Sequence, residues 1–220
     1  MHTTANKERL LSAINNILSE ELADGFTFSC DKISLLELSH KTYPGFRIML
    51  RVETGIMKDS IQIDIGVGDV VTPETYTITM FHYQGRPLFE GEISLLIYPI
   101  ETIFAEKLET VIPKGRTNSR MKDYHDLLLL SREKQLFDEG KLQSSLLRTF
   151  LHRNTPLTTI IFDERDLSII QPLWTNHLQM LGRLAAELNL PTNIAMIIAE
   201  INNRVLPFTL TPPKIISVSP

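Results

Sequence analysis

Cysteine is nearly absent from this chain of 220 residues, in which Cys30 is the single example. One thiol excludes an internal disulfide and any zinc site that needs several cysteines. The 6 histidines are scattered and form neither HExxH nor HxH, so the sequence gives little support to a histidine-ligated zinc site. A GxSxG motif is also missing, which leaves a serine hydrolase without its nucleophile elbow.

Long apolar runs and an excess of positive charge are missing as well. The formal net charge is −4 and the isoelectric point is near 5.9, which argues against a nucleic-acid binder that depends on overall positive charge, although a local basic patch is still compatible with these values. No segment approaches the roughly 20 apolar residues of a membrane-spanning helix. The first residues, MHTTANKERL, lack the apolar core of a signal peptide. We therefore expect a soluble cytoplasmic protein with no membrane partner.

Hydrophobic residues make up 43% of the chain, enough for one large domain or for one domain with a helical appendage. Segments with two-residue and with helical periodicity both occur, which predicts an α+β fold. We expect a domain at 1–130, a helical region at 131–207 and a flexible tail at 208–220. The first predicted elements are a helix at 6–23 and strands at 26–35 that are separated by a turn at Asp31 and Lys32. Strands at 46–53 and 60–67 follow, joined by a loop at 54–59, and then extended segments at 76–80 and 94–98 with a turn-like segment at 84–91. Helices are predicted at 137–151, 167–188 and 192–205.

Two of the predicted strands carry charges on their polar face. Arg47 and Arg51 alternate with apolar residues in one strand, and Asp64 lies in the middle of the other. An antiparallel hairpin would place Asp64 on the same side of the sheet as one of the two arginines. Because aspartate is depleted in strand interiors, Asp64 is interpreted either as a metal ligand on a rigid strand or as one half of a cross-strand salt bridge. The opposite, buried side is expected to hold Ile61, Ile63, Ile65 and Val67.

The stretch from Pro99 to Leu130 is the most informative, and it predicts two helices joined by a short turn. Pro99 suits a first helical position, and Pro113 with Gly115 forms a stop signal. At about 100° per residue, Lys107 falls near the middle of the apolar stripe of the first helix. A lysine at that position either reaches an anion or a polar cavity, or extends its ammonium to the wet edge of the helix. The stripe consists of Ile100, Ile103, Phe104, Leu108 and Val111, and the residues expected on the solvated sides are Glu101, Glu106 and Glu109.

The second helix of this pair concentrates ionisable groups before a wholly apolar run. Asp123 and Asp126 are three residues apart, which places both carboxylates on one helical face. Two such carboxylates could hold a metal, orient a lysine or an arginine, or act as a base. Alternatively, one is a helix-end charge and the other is a partner for Arg120 or Arg116.

At these residues the chain resembles the AbiEii-type nucleotidyltransferase toxins, the toxin components of bacterial type IV toxin–antitoxin and abortive-infection systems. The combination of an AEKLE helix with SRMKDxxDL is the most specific part of the likeness. The segments that carry it are IQIDIGVGDVVTP at 61–73, YPIETIFAEKLETV at 98–111, NSRMKDYHDLLLL at 118–130 and, more weakly, LLRTFLHRNTPL at 146–157.

The resemblance implies a nucleotidyltransferase fold, with a mixed β-sheet flanked by helices and a helical C-terminal region. It also implies transfer of a nucleotidyl group from a nucleoside triphosphate to an acceptor, in some members a tRNA end, with Mg²⁺ as the cofactor. By the same resemblance, Asp64 is a metal ligand, Lys107 contacts phosphate, and Asp123 or Asp126 is the downstream catalytic acid. Arg120 is expected to bind a phosphate bidentately or to hold Asp123.

One part of the family pattern is missing from this sequence. Family members carry, ahead of the matched region, a GG or GS turn and a DxD strand that supplies the first metal carboxylates, whereas this sequence has no adjacent glycines and no DxD. Asp64 alone does not readily hold two Mg²⁺ ions. Three explanations are therefore open. The missing module precedes Met1 and was lost through an alternative start or a split gene, or another chain supplies it. In the third, the protein is a non-catalytic binding module.

The non-catalytic alternative uses the same cations differently. In it, Lys107, Arg120, Arg47 and Arg51 form a contact surface for a nucleotide, an RNA or another anion. A cognate antitoxin is an expected partner in either case. Because a sheet that lacks strands exposes apolar surface and unpaired edges, we also expect a homo-oligomer.

Overall fold

The fold is taken from a computed structural model, which describes residues 2–20, 24–36, 45–66, 72–79, 82–87 and 92–209. The chain divides into two compact units, Met1–Asp69 and Val70–Pro220. The combination of helices with small sheets confirms the α+β class. The predicted borders at 130 and 207 stay a prediction, and the predicted tail lies, from residue 210 onward, outside the described residues.

The first unit contains one helix and a three-stranded antiparallel sheet. Helix α1, His2–Leu18, confirms the predicted amphipathic helix, although it begins and ends earlier than 6–23. The strands lie in the order β1-β2-β3, and α1 contacts β1. Their bounds are Thr27–Leu36 for β1, Gly45–Thr54 for β2 and Met57–Ile65 for β3.

The turn predicted at Asp31 and Lys32 is wrong. Strand β1 runs without interruption, and its pairing with β2 shifts register between Cys30 and Lys32, so Asp31 lies in a β-bulge. Asp31 there accepts a hydrogen bond of 3.0 Å from Nη2 of Arg51. Two adjacent polar residues within a strand pattern therefore mark a bulge here, which interrupts the alternation of faces just as a turn would.

The turn between β2 and β3 is shorter than the predicted loop. Thr54 pairs with Met57, so only Gly55 and Ile56 connect the strands. Gly55 has a φ of 57°, the left-handed conformation that two-residue hairpin turns favour.

The two faces of this sheet differ, and only part of the predicted burial is confirmed. Phe46, Ile48 and Leu50 of the central strand are buried as expected. Ile61 and Ile63 are 43% and 37% exposed, so their predicted burial is wrong. They lie on β3, which among the described strands pairs with β2 alone and is therefore less covered than β2.

The second unit begins with four short strands in two antiparallel pairs. β4 (Glu74–Thr79) pairs with β7 (Glu92–Ile97), which confirms both predicted extended segments. β5 (His82–Tyr83) and β6 (Arg86–Pro87) form a hairpin, of which the turn and β6 lie in the segment predicted as turn-like and β5 precedes it. Every strand pair in the described ranges is antiparallel.

The remainder of the second unit is helical. The helix predicted at 167–188 is divided at Gly182, whose φ of 56° ends one helix before the next begins. None of the helices in the described ranges is long and apolar enough to cross a membrane. The helices are α2 (Ile100–Lys114), α3 (Met121–Arg132), α4 (Glu139–His152), α5 (Glu164–Leu181), α6 (Arg183–Glu187) and α7 (Ile194–Thr209), with short 3₁₀ turns at Gly115–Thr117 and Lys134–Leu136.

One hydrophobic core joins α2 and α3 to the later helices. The stripe predicted on the first helix supplies Phe104, Leu108 and Val111, none of which has exposed surface. Trp174 of α5 is equally buried, and its indole Nε1 donates to the carbonyl of Pro191 at 2.8 Å. The predicted helix pair is therefore confirmed and rests on the C-terminal helices.

Two glutamates of α2 are buried, contrary to the prediction that they face solvent. Glu101 is 4% exposed and accepts from the backbone N–H of Asp138 at 2.9 Å. Glu109 is 7% exposed, and it accepts from Arg153 and, at 2.8 Å, from the hydroxyl of Thr155. The helical wheel misplaced them because α2 has neighbours on more than its apolar side.

Replacing Glu109 by alanine should destabilise the protein. The change leaves the partly buried guanidinium of Arg153 without this carboxylate, and a lost hydrogen bond to a charged group costs about 1–3 kcal/mol. Urea unfolding followed by circular dichroism measures the free energy of unfolding. Glu187→Ala, on exposed surface of α6, is the control, and a Glu109→Ala protein as stable as that control would contradict the structural role.

Candidate functional site

A lysine and two aspartates form the centre of the candidate site in the second unit. Nζ of Lys107 lies 2.6 Å from Oδ2 of Asp126 and 3.4 Å from Oδ1 of Asp123. The side chain of Lys107 is 23% exposed, that of Asp126 is 26% exposed, and that of Asp123 is only 3% exposed. One ammonium therefore bridges a buried carboxylate and a partly exposed one.

Helix geometry explains this arrangement. Lys107 projects from the face of α2 that packs in the core, and the two aspartates share one face of α3 because they are three residues apart. α2 and α3 contact each other directly. For the two aspartates, the structure contains the alternative in which carboxylates orient a lysine. For Lys107, it contains the alternative in which the ammonium reaches an anion and not open solvent.

Arg120 adds a second cation to the same cluster. Its Nε lies 3.0 Å from Oδ2 of Asp123, and its side chain is 62% exposed. The Nε–H of Arg120 does not point at this oxygen, so Oδ2 of the buried Asp123 accepts no hydrogen bond in the structure. The expectation that Arg120 holds Asp123 is met as an ion pair, and most of the guanidinium remains accessible from solvent. Arg116 instead lies 3.7 Å from Asp166.

Buried polar atoms without a hydrogen-bond partner gather at the start of α3. Such atoms are rare in folded proteins, and each calls for an unseen water, ion or ligand or for a functional reason. Of the five in the described part of the chain, four lie within eight consecutive residues: Nδ2 of Asn118, Oδ2 of Asp123, the hydroxyl of Tyr124 and Nε2 of His125. Desolvation by burial raises the pKa of Tyr124, which keeps its hydroxyl protonated.

A histidine pair lies close to Asp126. Nδ1 of His125 is 3.3 Å from Nε2 of His177, and the ring of His177 lies against Trp174 with centroids 5.2 Å apart. Burial lowers the pKa of both histidines, and it outweighs the opposing effect of nearby Asp126. The sequence did not identify His177, since it is 52 positions from His125 and belongs to no recognised motif.

The remaining predicted residues lie in the first unit, on the polar face of its sheet. Arg47 and Asp64 are register partners, and the guanidinium donates two hydrogen bonds of 2.8 Å to the carboxylate. This is the cross-strand salt bridge that the sequence offered as one alternative for Asp64. The Arg47 hydrogen bonds lower the pKa of Asp64, and the same contact raises the pKa of Arg47. Arg51 pairs with Asp31 instead.

The carboxylates of the candidate residues are already engaged by cations. In the ranges that the structure covers, no group of three or more His, Cys, Asp or Glu side chains is placed to hold a metal ion. Both oxygens of Asp64 accept from Arg47, and Asp123 and Asp126 face Lys107 and Arg120. These residues by themselves do not form the carboxylate set that Mg²⁺ takes in phosphoryl-transfer enzymes.

A comparison against known families matches most of the chain. The model of the nucleotidyl transferase AbiEii toxin family, of type IV toxin–antitoxin systems, matches residues 2–193. The chain therefore belongs to the AbiEii family of nucleotidyltransferase toxins. A search of curated proteins found no match.

The histidine pair predicts a loss of stability in mild acid. Both pKa values are lower in the folded protein than the ordinary value near 6.5, so the unfolded chain binds more protons as the pH falls. The stabilising contribution is complete above about pH 6.5 and is lost as the pH falls toward the lower folded values. Calorimetric melting between pH 8 and pH 5 should show a falling midpoint.

His177→Gln removes one titrating group while it keeps a donor for His125, so this variant should show a shallower fall. His152→Gln, at an exposed position at the end of α4, is the control. Parallel curves for His177→Gln and the wild type would show that the pair does not set the pH dependence.

Proposed function

We propose that this protein transfers a nucleotidyl group from a nucleoside triphosphate to a hydroxyl of an acceptor RNA, with a tRNA end as the favoured acceptor. The observation that carries the proposal is the bridge of Lys107 to both Asp126 and Asp123 on two packed helices. Family membership supports the reaction class. Both substrates are cytoplasmic molecules, so the protein would act in the cytoplasm.

The reaction requires a base and a cation in close contact. The acceptor hydroxyl attacks the α-phosphorus, the bond from that phosphorus to the bridging oxygen breaks, and pyrophosphate leaves with the bonding electron pair. The hydroxyl proton passes to a carboxylate. Lys107 lies beside the carboxylates and stabilises the negative charge that develops on the phosphoryl oxygens.

The two aspartates differ in a way that assigns their roles. Asp126 is the more exposed and makes the shorter contact with Lys107, so a substrate hydroxyl can approach it, and we assign it as the base. Asp123 is buried between Lys107 and Arg120 and positions both cations. Arg120, with most of its surface exposed, is placed to contact phosphate oxygens.

Mg²⁺ stays a proposal for this chain. When bound, it would neutralise part of the charge on the triphosphate. Because the described carboxylates do not form its site, no step above is assigned to the ion. A cognate antitoxin is likewise proposed, because the family belongs to toxin–antitoxin systems. A homo-oligomer is also proposed, because β4 and β7 carry exposed apolar side chains at Tyr76, Ile78, Ile93 and Leu95.

The second candidate function is anion or RNA binding without catalysis. It is the less well supported, because Arg47 and Arg51 are each already paired with an aspartate. The charge they would offer to a ligand is reduced accordingly, whereas Arg120 retains a largely exposed guanidinium.

The transferase proposal is tested by label transfer. The full chain is incubated with Mg²⁺, each α-labelled nucleoside triphosphate in turn, and total tRNA, and label in RNA is counted. Lys107→Ala and Asp126→Asn should each lower transfer by about 100-fold or more, as loss of a main electrostatic or base group does. Asp123→Asn should lower it less, if the fold is retained. Asp64→Asn tests in the same assay the metal-ligand role that the family resemblance implies for Asp64.

Lys134→Ala is the matched control, because Lys134 is exposed just beyond the opposite end of α3. Melting temperatures of all variants separate loss of chemistry from loss of folding. Equal transfer by the Lys107→Ala and Lys134→Ala proteins would reject the assigned site. Absence of transfer by the wild type, with no change in its melting temperature on addition of nucleotide, would reject the proposed function.

A further inference from the structure

We propose that Lys114 and Arg120 form a phosphate-binding pair that receives the triphosphate of the nucleotide, whereas Lys107 remains engaged with the aspartates. This inference deepens the proposed function and rests on it for the identity of the ligand. The family resemblance gives the phosphate contact to Lys107, whereas this inference gives the binding contact to Lys114 and Arg120. The binding cations then lie at the ends of α2 and α3 that meet at the connecting turn.

Lys114 occupies a position that favours contact with the site. It is seven residues after Lys107 on α2, so the two lysines lie on nearly the same helical face, about 10 Å apart along the axis. It is also the last residue of the helix, next to the turn that leads to Arg120. Its side chain is half-buried, which limits the directions in which its ammonium can point.

The charges around Lys114 do not balance. Asp123 and Asp126 are paired with Lys107 and Arg120, and the charges of Arg120 and Asp123 also act on Lys114, a third cation. Glu109 is nearby but already accepts from Arg153. Among the described residues, Lys114 has no ion pair or side-chain hydrogen bond of its own. A net positive charge in a partly desolvated cluster is what an anionic ligand neutralises.

The donors at the start of α3 support the same conclusion. Nδ2 of Asn118 is buried beside the Tyr124 hydroxyl without a well-formed hydrogen bond, while its Oδ1 accepts from the backbone N–H of Arg120 at 3.0 Å. α3 has no side-chain cap, and the beginning of a helix favours negative charge. A buried amide donor, a guanidinium and a half-buried ammonium therefore occur within seven residues of the chain.

The electrostatic environment agrees with this arrangement. Burial lowers the pKa of Lys114, and the positive charge of Arg120 lowers it further, while Asp123 and Glu109 only partly oppose the shift. A bound phosphate would relieve this repulsion. Binding should therefore weaken at alkaline pH, where Lys114 loses its proton before an ordinary lysine does.

The probe is inorganic tripolyphosphate, titrated into the full-length protein by calorimetry. Lys114→Gln should raise its Kd about tenfold, which corresponds to about 1.4 kcal/mol, and Lys114→Arg should restore binding to within about threefold of the wild type. Between pH 7.5 and pH 9.5 the affinity of the wild type should fall relative to that of Lys114→Arg, because arginine keeps its charge. In the transfer assay Lys114→Gln should raise KM for the nucleotide with little change in kcat.

Lys134→Gln is the control for a change of charge alone, and melting temperatures confirm that each variant is folded. Unchanged tripolyphosphate affinity in Lys114→Gln would overturn the inference. If a 5′-hydroxyl RNA oligonucleotide loses affinity and tripolyphosphate does not, the pair contacts the RNA backbone, and the assignment to the nucleotide is wrong. If the wild type shows no transfer but Lys114→Gln still weakens tripolyphosphate binding, the proposed reaction fails while the phosphate site stands.

Discussion

The contact of Lys107 with Asp126 and Asp123 is the interaction on which the helix pair depends. A lysine on the core-facing side of a helix loses hydration and needs a nearby negative charge. Placing both carboxylates on one face of α3 supplies that charge, and it fixes how α3 lies along α2. Apolar packing of Phe104 and Leu108 holds the helices together, but the charges determine which residues face each other.

The two units use ion pairs in different ways. In the first unit, the Arg47–Asp64 pair is solvent-exposed and matched one to one, so it reinforces a strand register that the alternation of faces already sets. In the second unit, the charges are partly buried, unequal in number and accompanied by unpartnered polar atoms. An arrangement of the second kind is less stabilising, but it leaves charged and polar groups able to bind a ligand.

Part of this picture could be predicted from the sequence because it follows from periodicity. The helix pair, the shared face of Asp123 and Asp126, and the common face of Asp64 and the strand arginines are consequences of repeats of 3.6 and 2 residues. Which arginine pairs with Asp64 depends on the strand register, which only the structure supplied. Burial of Glu101 and Glu109 was missed because their partners, the backbone of Asp138 and the side chains of Arg153 and Thr155, are supplied by distant segments. His177 was missed for the same reason, and the bulge at Asp31 because a turn and a bulge break the pattern alike.

The shared core of α2, α3 and the C-terminal helices has a consequence for how such a protein could be controlled. The lysine and the aspartates sit on neighbouring helices of one packed body, and interiors of this density resist small displacements. Bending α2 away from α3 would expose the core and unfold much of the unit. An inhibitor would therefore act by covering or neutralising the exposed charges at Arg120, and it could do so without changing the conformation of the helices that carry them.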